Sequence, residues 1–298
     1  MPFITLTPNP ALDRTLELAT PLIPGNLHRV AKVREAAGGK GVNVARVLQI
    51  LGADVTVTGF LGGFNGQKFR HLLAGEGLPG VFEAVSGETR ECHIILGGVL
   101  DGRAQPTEIY EGGPSVTAAD WRSLTARLPE GRLVVSGSLP RGLAPETFKA
   151  LLLELVQSGY KPTVDSSGAA LRAALGAGVA LVKPNRRELA ELLPVQGDGI
   201  AEAKLLFGSY GVPILLSLGA AGAAYIAGET LRVPAPAVEA VNPVASGDCL
   251  LAAFIWARSE GWSLTDALRL GVAAGAENAA AGGGARITRA GLLTRFER

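Results

Sequence analysis

Residues 132–165, RLVVSGSLPRGLAPETFKALLLELVQSGYKPTVD, decide the fold. The stretch opens with a short apolar run at 132–136 that ends in Ser-Gly-Ser, and a helix is expected at 145–158. A second short apolar run follows at 162–165. A strand, a helix and another strand in this order are typical of a parallel sheet wrapped by helices.

The same alternation extends over most of the chain. Strands are expected at 3–7, 55–60, 132–136, 162–165, 180–182 and 212–217, and helices at 41–51, 66–75, 118–128, 145–158, 169–175, 187–193, 200–210, 247–260 and 263–280. Residues 12–33 and 88–109 alternate less regularly, and they predict two pieces of one small antiparallel sheet, a flap on the main body. We therefore expect a single α/β domain over 1–298, with helices on both faces of a mostly parallel sheet.

Composition excludes several classes of protein. The chain has 28 Lys and Arg against 27 Asp and Glu, so no overall field favours nucleic acid or a membrane surface. Its two cysteines, Cys92 and Cys249, show neither metal-ligand spacing nor a disulfide framework, and the first residues do not resemble a signal peptide. Residues 205–228 carry no formal charge, but six Gly and Pro residues interrupt them and predict a strand, a glycine turn and a strand. We expect a cytoplasmic location.

The most informative motif is NPVASGDCLLAAF, residues 242–254. Small residues precede one acid, Asp248, and then a helical run begins, so the N–H groups of 245–248 are expected to form an anion site. An acid in such a site repels phosphate unless it takes a proton from a hydroxyl that attacks a phosphoryl group. The alternative is that Asp248 merely caps the helix.

The glycine-rich stretch GGKGVN, residues 38–43, opens the first long helix. It is not a Walker loop, because Gly follows Lys40, and Val44 excludes a dinucleotide fingerprint. Asn43 could bond sugar hydroxyls and Lys40 could reach a phosphate, or the stretch is a plain turn with a solvated lysine. Asp13 could accept from two sugar hydroxyls and Arg90 could clamp a phosphate, although both could equally be solvated surface residues.

A further motif, KPNRRE at 183–188, is a strand end, a proline stop and a helix start. Asn185 and Glu188 lie three residues apart and could both face a cluster of metal-bound water. A capping box between the same two residues fits nearly as well.

Together, the motifs at 7–13, 38–43, 137–140, 183–188, 217–219 and 242–248 resemble, in this order, those of the phosphofructokinase B branch of the ribokinase superfamily. The similarity runs from about residue 4 to about residue 286, and the bacterial 1-phosphofructokinases and tagatose-6-phosphate kinases form the nearest subgroup. The resemblance implies a ribokinase-like α/β/α sandwich with a β-sheet lid. It also implies that ATP, with Mg²⁺, donates its γ-phosphate to a phosphorylated ketohexose.

The resemblance also assigns roles to residues. It implies that Asp248 is the catalytic base, and that Ala245, Ser246 and Gly247 form the anion hole. Contacts to the sugar phosphate are implied for Asp13, Gly38, Gly39, Lys40, Asn43, Arg90 and Ser138. Contacts on the nucleotide side are implied for Lys183, Asn185, Glu188 (which would hold the metal through water), Ser217, Gly219, Gly222, Val272, Gly275 and Ala276.

The acceptor expected from this resemblance is fructose 1-phosphate, with tagatose 6-phosphate or, less favoured, fructose 6-phosphate as alternatives. Asn26 and His28 in the lid disfavour fructose 6-phosphate, because relatives that use 6-phosphate sugars are often more basic there. Two departures from the family pattern are Ala245, where glycine is usual, and Cys249, where serine is usual. A homodimer through the lid is possible on the same grounds.

Three rival functions are weighed against this interpretation. Lys40 and Arg90 disfavour a ribokinase-like or nucleoside kinase that acts on an unphosphorylated acceptor, because a neutral acceptor needs no such clamp. Asp248 disfavours a non-catalytic sugar-phosphate sensor. The missing glycine fingerprint disfavours a nicotinamide dehydrogenase.

Overall fold

The computed structural model describes residues 1–100 and 103–297. The segment expected at 88–109 therefore includes two residues, 101 and 102, that lie outside the described residues. The strands in chain order are β1 (Phe3–Thr7), β2 (Ala11–Leu18), β3 (Val30–Gly38), β4 (Val55–Leu61), β5 (Gly80–Ala84), β6 (Arg90–Leu100), β7 (Arg103–Tyr110), β8 (Arg132–Ser136), β9 (Thr163–Asp165), β10 (Leu181–Val182), β11 (Ile214–Ser217), β12 (Ala223–Ala227) and β13 (Glu229–Val233).

The helices follow the expected alternation with the strands. In chain order they are α1 (Lys40–Ile50), α2 (Gly63–Gly75), α3 (Ala118–Thr125), α4 (Pro145–Gln157), α5 (Gly168–Gly176), α6 (Arg186–Ala190), α7 (Ile200–Tyr210), α8 (Ser246–Ser259), α9 (Leu264–Ala280) and α10 (Arg289–Phe296). A short 3₁₀ turn at Gly219–Ala221 connects β11 to β12.

Nine strands form the large sheet, in the order β13-β12-β11-β10-β9-β8-β1-β4-β5. The seven strands from β11 to β5 are parallel, and β12 and β13 extend one edge as an antiparallel ribbon. The carboxyl ends of the parallel strands therefore meet at one edge of the sheet, where ligands bind in folds of this kind.

Side chains that alternate along β1 show how the helices cover both faces of this sheet. Phe3 belongs to a core that includes residues of α1, α8 and α9, whereas Ile4 and Leu6 belong to a core that includes residues of α3, α4 and α5. Successive residues of a strand point to opposite faces, so the sheet lies between two helical layers. The expected three-layer α/β/α architecture is confirmed.

The small lid sheet has the order β3-β2-β6-β7. Its outer pairs are antiparallel, as expected, but β2 and β6 run parallel, so the prediction of a wholly antiparallel sheet is wrong for that pair. The reason is the path of the chain. β2 follows β1 and β6 follows β5, and these two parallel strands leave the large sheet in the same direction.

Three elements were not expected from the sequence: β5, β13 and α10. They bury few side chains, namely Phe82 on β5 and Leu292 on α10, so no apolar run marks them. Residues 205–228 contain the end of α7, then β11 and β12, which confirms the expected strand, turn and strand. Among the described residues, no helix combines the length and apolarity needed to cross a membrane.

Candidate active site

A cavity of about 1070 Å³ lies between the carboxyl ends of the large-sheet strands and the lid. It brings together almost every residue that the sequence singled out. The lining residues among them are Asp13, Gly39, Lys40, Asn43, Arg90, Ser138, Lys183, Asn185, Glu188, Ser217, Gly219, Gly222, Ala245, Ser246, Gly247, Asp248, Val272, Gly275 and Ala276.

Gly38 is the exception, because it does not line the cavity. It ends β3 directly beside Asp13, and a Cβ at this position would collide with the carboxyl group of Asp13. Gly38 therefore makes room for that carboxyl group rather than offering a contact of its own.

The start of α8 presents two free N–H groups rather than the four expected. Ala245, the residue before the helix, has a left-handed backbone with φ 68°. The Ser246 N–H donates to the Pro243 carbonyl (3.1 Å), and the Asp248 N–H donates to the Ala245 carbonyl (3.0 Å). Within the described chain, the N–H groups of Ala245 and Gly247 have no hydrogen-bond partner, so they are the donors available to an anion.

Asp248 is buried in the first turn of α8, and its Oδ2 accepts a hydrogen bond of 2.8 Å from Nδ2 of Asn43. Burial raises the pKa of Asp248 to about 7, and the negative charge of Asp165 adds to that effect. The charges of Lys40 and Lys183 and the Asn43 hydrogen bond act in the opposite direction. A carboxyl group with this pKa can both accept and release a proton near neutral pH.

Asp165, at the end of β9, links two lysines. Its Oδ1 lies 3.2 Å from Nζ of Lys40, and its Oδ2 lies 3.3 Å from Nζ of Lys183. Although burial opposes it, these two ammonium groups hold the pKa of Asp165 below its usual value. The sequence predicted a strand that ends at 165 but did not single out Asp165, because its partners are distant in the chain.

Lys40 also lies 3.1 Å from Oε1 of Glu188, so its ammonium group is shared between two carboxylates. Burial lowers the pKa of Lys40, but the charges of Asp165, Glu188 and Asp248 outweigh it and keep the pKa above its usual value. In this arrangement Lys40 lies beside the residues expected on the nucleotide side. The sequence had placed it on the sugar phosphate.

Lys183 comes close to the anion-binding turn. A Cβ on Gly247 would lie 3.2 Å from Nζ of Lys183, so the absence of a side chain at 247 allows the ammonium group and the free amide to share one surface. Two amide donors and a cation at one point of the cavity form a site suited to a phosphate group.

Asn185 and Glu188 form the capping box that the sequence left open as an alternative. Oδ1 of Asn185 accepts from the Glu188 N–H, and Oε2 of Glu188 accepts from the Asn185 N–H, each at 2.9 Å. The described residues contain no group of three or more His, Cys, Asp or Glu side chains able to enclose a metal ion. The carboxylate of Glu188 lines the cavity and fits an ion held mainly by phosphates and water.

On the lid side of the cavity, Asp13 is half-buried, and desolvation raises its pKa to about 6 against the charges of Arg46 and Arg90. Nε and Nη2 of Arg90 donate to the Asn9 carbonyl at 3.2 and 2.9 Å. No carboxylate of the described residues forms an ion pair with Arg90, so its charge is available to an anionic ligand. Asn43 is held at both ends, because Nη1 of Arg46 donates to its Oδ1 (2.9 Å) while its Nδ2 bonds Asp248.

The far end of the cavity has an apolar wall. Val272, Gly275 and Ala276 of α9 lie there, together with Pro236 and Val238 from the preceding loop. Gly275 also permits close packing of two helices, because a Cβ on it would lie 3.1 Å from the Ser246 carbonyl. Ser217, Gly219 and Gly222 line the cavity where β11 ends.

Some lining residues were missed, and others that were discussed do not belong to the site. Several of the missed residues lie at strand ends or on the inner face of the lid, where only the folded topology shows their direction, namely Thr7, Asn9, Cys92, Ile94, Tyr110 and Ser166. Asn26 and His28 do not line the cavity, so their link to the choice of acceptor stays a prediction. Cys249 is fully buried and its pKa is raised by burial, which makes it an inert thiol.

The model for pfkB family carbohydrate kinases matches residues 7–289. The chain is 38% identical over 278 residues to the 1-phosphofructokinase of Haloferax volcanii, covering 90% of this chain and 88% of that one. It is 34% identical over 267 residues to the tagatose-6-phosphate kinase of Staphylococcus epidermidis, and this match covers 84% of this chain and 83% of that one. Among solved structures, phosphofructokinase-2 from Escherichia coli in complex with substrates and products has a TM-score of 0.89 at 29% identity. This match covers 100% of this chain and 99% of that one.

These similarities extend over the motifs from which the site was expected, and they confirm the suspected family. The fold, the lid and the cavity between them agree with the same assignment. The chain belongs to the pfkB family of carbohydrate kinases.

Proposed function

We propose that the protein transfers the γ-phosphoryl group of ATP to fructose 1-phosphate and forms fructose 1,6-bisphosphate. The observation that carries this proposal is one buried carboxyl group, Asp248, in the same turn as the free N–H groups of Ala245 and Gly247 and beside Lys183. A base, amide donors and a cation at one point are what phosphoryl transfer to a hydroxyl requires.

In the proposed reaction the hydroxyl oxygen of the acceptor forms a bond to the γ-phosphorus of ATP. Asp248 accepts the proton of that hydroxyl. The bond to the β,γ-bridging oxygen breaks, and ADP leaves with that electron pair. The amides of Ala245 and Gly247, with Lys183, stabilise the charge that the moving group carries. Asn43 bonds Oδ2 of Asp248, and Oδ1 of the same carboxyl group would receive the proton of the acceptor.

The nucleotide would lie along α8 and α9, with its base against the apolar wall of Val272 and Ala276 and its phosphates at the start of α8. Glu188 would hold Mg²⁺ through water, and the ion would neutralise charge on the nucleotide phosphates. Lys40 and Lys183 would share that neutralisation from fixed positions on Asp165.

The acceptor would lie under the lid, with its hydroxyls on Asp13. Its phosphate would meet Arg90, and we propose that Lys40 sits between the phosphate groups of the two substrates rather than on the sugar phosphate alone. Tagatose 6-phosphate is the second candidate, because the tagatose-6-phosphate kinase of Staphylococcus epidermidis is 34% identical to this chain.

The test compares kcat/KM for fructose 1-phosphate, tagatose 6-phosphate and fructose 6-phosphate, with ADP release as the readout. The highest value for fructose 1-phosphate supports the proposal, and the highest value for either other sugar contradicts it. Binding of a sugar phosphate without ADP release would identify a sensor. Faster turnover of unphosphorylated fructose would identify a kinase that needs no phosphate clamp.

We infer further that both sheets act as one kinase domain over 1–298, and that two copies pair through the lid. The cavity takes residues from both sheets, and Val33 on the edge strand β3 and Ile109 on the edge strand β7 are exposed. Sedimentation equilibrium at micromolar concentration tests the pairing. A dimer that Val33→Lys converts to a monomer supports it, whereas a wild-type monomer, or a dimer unaffected by this substitution, contradicts it.

A further inference from the structure

Within the described residues, two residues other than glycine have a left-handed backbone: Ala245 with φ 68° and Ala285 with φ 56°. A side chain that begins with a Cβ disfavours this conformation, so the surrounding structure must hold it in place. Both residues are tied to the same side chain, that of Asn278 near the end of α9.

Asn278 is completely buried and uses its whole amide group. Its Nδ2 donates to the Val244 carbonyl (2.8 Å) and to Oγ of Ser246 (2.9 Å), the two neighbours of Ala245. Its Oδ1 accepts the N–H of Ala285 at 2.9 Å. One amide group thus holds the turn before α8 on both sides of its strained residue, and joins it to the loop after α9.

Other hydrogen bonds from α9 and the loop after it hold the segment before α8 as far as Val244, on one side of Ala245 only. The N–H groups of Val241 and Asn242 donate to the Ala279 carbonyl at 2.8 and 3.0 Å, and the Gly284 N–H donates to the Val244 carbonyl at 3.2 Å. Asn278 is the side chain of α9 that reaches past Val244 to Ser246. The free N–H groups of Ala245 and Gly247 lie on either side of that contact.

The geometry points to Asn278 as a positioning residue for phosphoryl transfer. It holds Ala245 in the left-handed conformation, and so it keeps the N–H groups of Ala245 and Gly247 at the surface of the cavity. This inference rests on the proposed function of those two groups. Nothing in the sequence marked Asn278, which lies among alanines and glycines at the end of a helix.

The inference also explains how an alanine can adopt a left-handed backbone at position 245. A glycine at this position takes the left-handed conformation without support. An alanine requires a clamp, and Asn278 supplies it. The two positions should therefore depend on each other energetically, which a double-mutant cycle measures.

The experiment uses the full chain with Asn278→Asp, which keeps the acceptor for Ala285 but removes the donors to Val244 and Ser246. Asn278→Ser, too short to reach Val244, is measured alongside. Each is made in the wild-type protein and in the Ala245→Gly variant. The readouts are kcat, KM for the acceptor, thermal unfolding, and hydrogen exchange of amides 244–249 without any ligand.

In the wild-type background, Asn278→Asp is expected to lower kcat ~10–100-fold, less than the ~10²–10³-fold cost of removing an oxyanion donor, because the two N–H groups are displaced rather than lost. The acceptor KM should change little, and exchange at 245–248 should become faster. In the Ala245→Gly background the same substitution should lower kcat by less than ~3-fold. As a control, Arg295→Gln breaks the 2.6 Å ion pair of Arg295 with Glu277, the neighbour of Asn278, and should leave kcat unchanged.

Equal losses of kcat in both backgrounds, or unchanged exchange at 245–248, would overturn the inference. A loss of kcat that follows only the melting temperature would overturn it too, because the role would then be structural. The exchange measurement needs no substrate. If the wild-type protein proves inactive with every sugar phosphate, the proposed function fails while the exchange result still decides whether Asn278 holds the turn.

Discussion

Nδ2 of Asn43 donates a hydrogen bond of 2.8 Å to Oδ2 of Asp248, although 205 residues separate the two in the chain. Oδ1 of Asn43 accepts from Arg46, whose guanidinium group is itself bonded to Glu76 and to the Ala37 carbonyl. The proposed base is therefore oriented by a chain of polar contacts that begins at the end of α2.

The first prediction concerns the pH dependence of turnover. Asp248 must be ionised to accept a proton, and its pKa is about 7, so kcat should fall as the pH falls through 7. The decline should approach about tenfold per pH unit, the slope of a single titrating group. Turnover measured at saturating substrates from pH 5 to 9 checks this, and a constant kcat between pH 8 and 5 would exclude Asp248 as the base.

Asn43→Ala should shift the fall of kcat at acidic pH to a higher pH. The hydrogen bond from Asn43 favours the charged form of Asp248, and its loss raises the pKa further. We expect kcat at pH 7 to fall ~10-fold and to recover largely by pH 9. The control is Asn65→Ala, which removes an amide that bonds the Thr89 carbonyl outside the cavity and should leave the profile in place.

Asp165→Asn should shift the fall of kcat at acidic pH to a lower pH. The negative charge of Asp165 raises the pKa of Asp248, so its removal favours ionisation of the base at lower pH. The maximum of kcat will also fall, because Lys40 and Lys183 lose their common partner. The same pH series tests this, and a shift in the direction expected for Asn43→Ala would contradict the electrostatic account.

Asp248→Asn should lower turnover and raise the free energy of unfolding. Turnover should fall ~10²–10⁴-fold while nucleotide binding remains. The raised pKa means that the native state binds a proton more tightly than the unfolded chain, so Asp248 lowers the free energy of unfolding progressively from about pH 4 to pH 7, and in full above pH 7. The variant should melt roughly 2–8 °C higher at pH 8, with the difference vanishing towards pH 4. Equal melting temperatures at pH 8 would show that the carboxylate is not destabilised.

Gly247→Ala should disturb Lys183 without unfolding the protein. The new Cβ would lie 3.2 Å from Nζ of Lys183 and would displace it from the amide surface, so kcat should fall ~10-fold. The matched control is Gly208→Ala on the exposed face of α7, where a Cβ meets nothing within 4 Å. It should raise the free energy of unfolding by about 0.5–1 kcal/mol and leave kcat unchanged. Normal turnover of Gly247→Ala would argue against Lys183 in this role.

The large sheet and its helical layers could be predicted because both depend on local patterns. Strands such as β1 and β8 are short apolar runs, and a helix precedes the next strand of the large sheet in each case, α1 before β4 and α4 before β9. The parallel pairing of β2 with β6 could not be predicted in the same way. It depends on where the chain leaves the large sheet rather than on the residues of either strand.

The lining of the cavity was predictable to a similar degree. Motifs at strand ends marked Lys183 and Ser217, and a parallel sheet places such ends together, whereas Asp248 was marked by a helix start. The contacts among the side chains were not predictable, because Lys40 bonds Asp165 across 125 residues. Asn278 gave no signal, since a single amide near a helix end resembles any polar residue there.

The two walls of the cavity come from different sheets. Asp13, Cys92 and Tyr110 belong to strands of the lid, whereas Asp248 and Lys183 belong to the large sheet and its helices. The proposed sugar contact of Asp13 and the proposed base Asp248 therefore lie on different walls, so changes in the lid can alter acceptor binding without altering the base. Attempts to redirect this catalyst to new acceptors should begin with libraries confined to the lid.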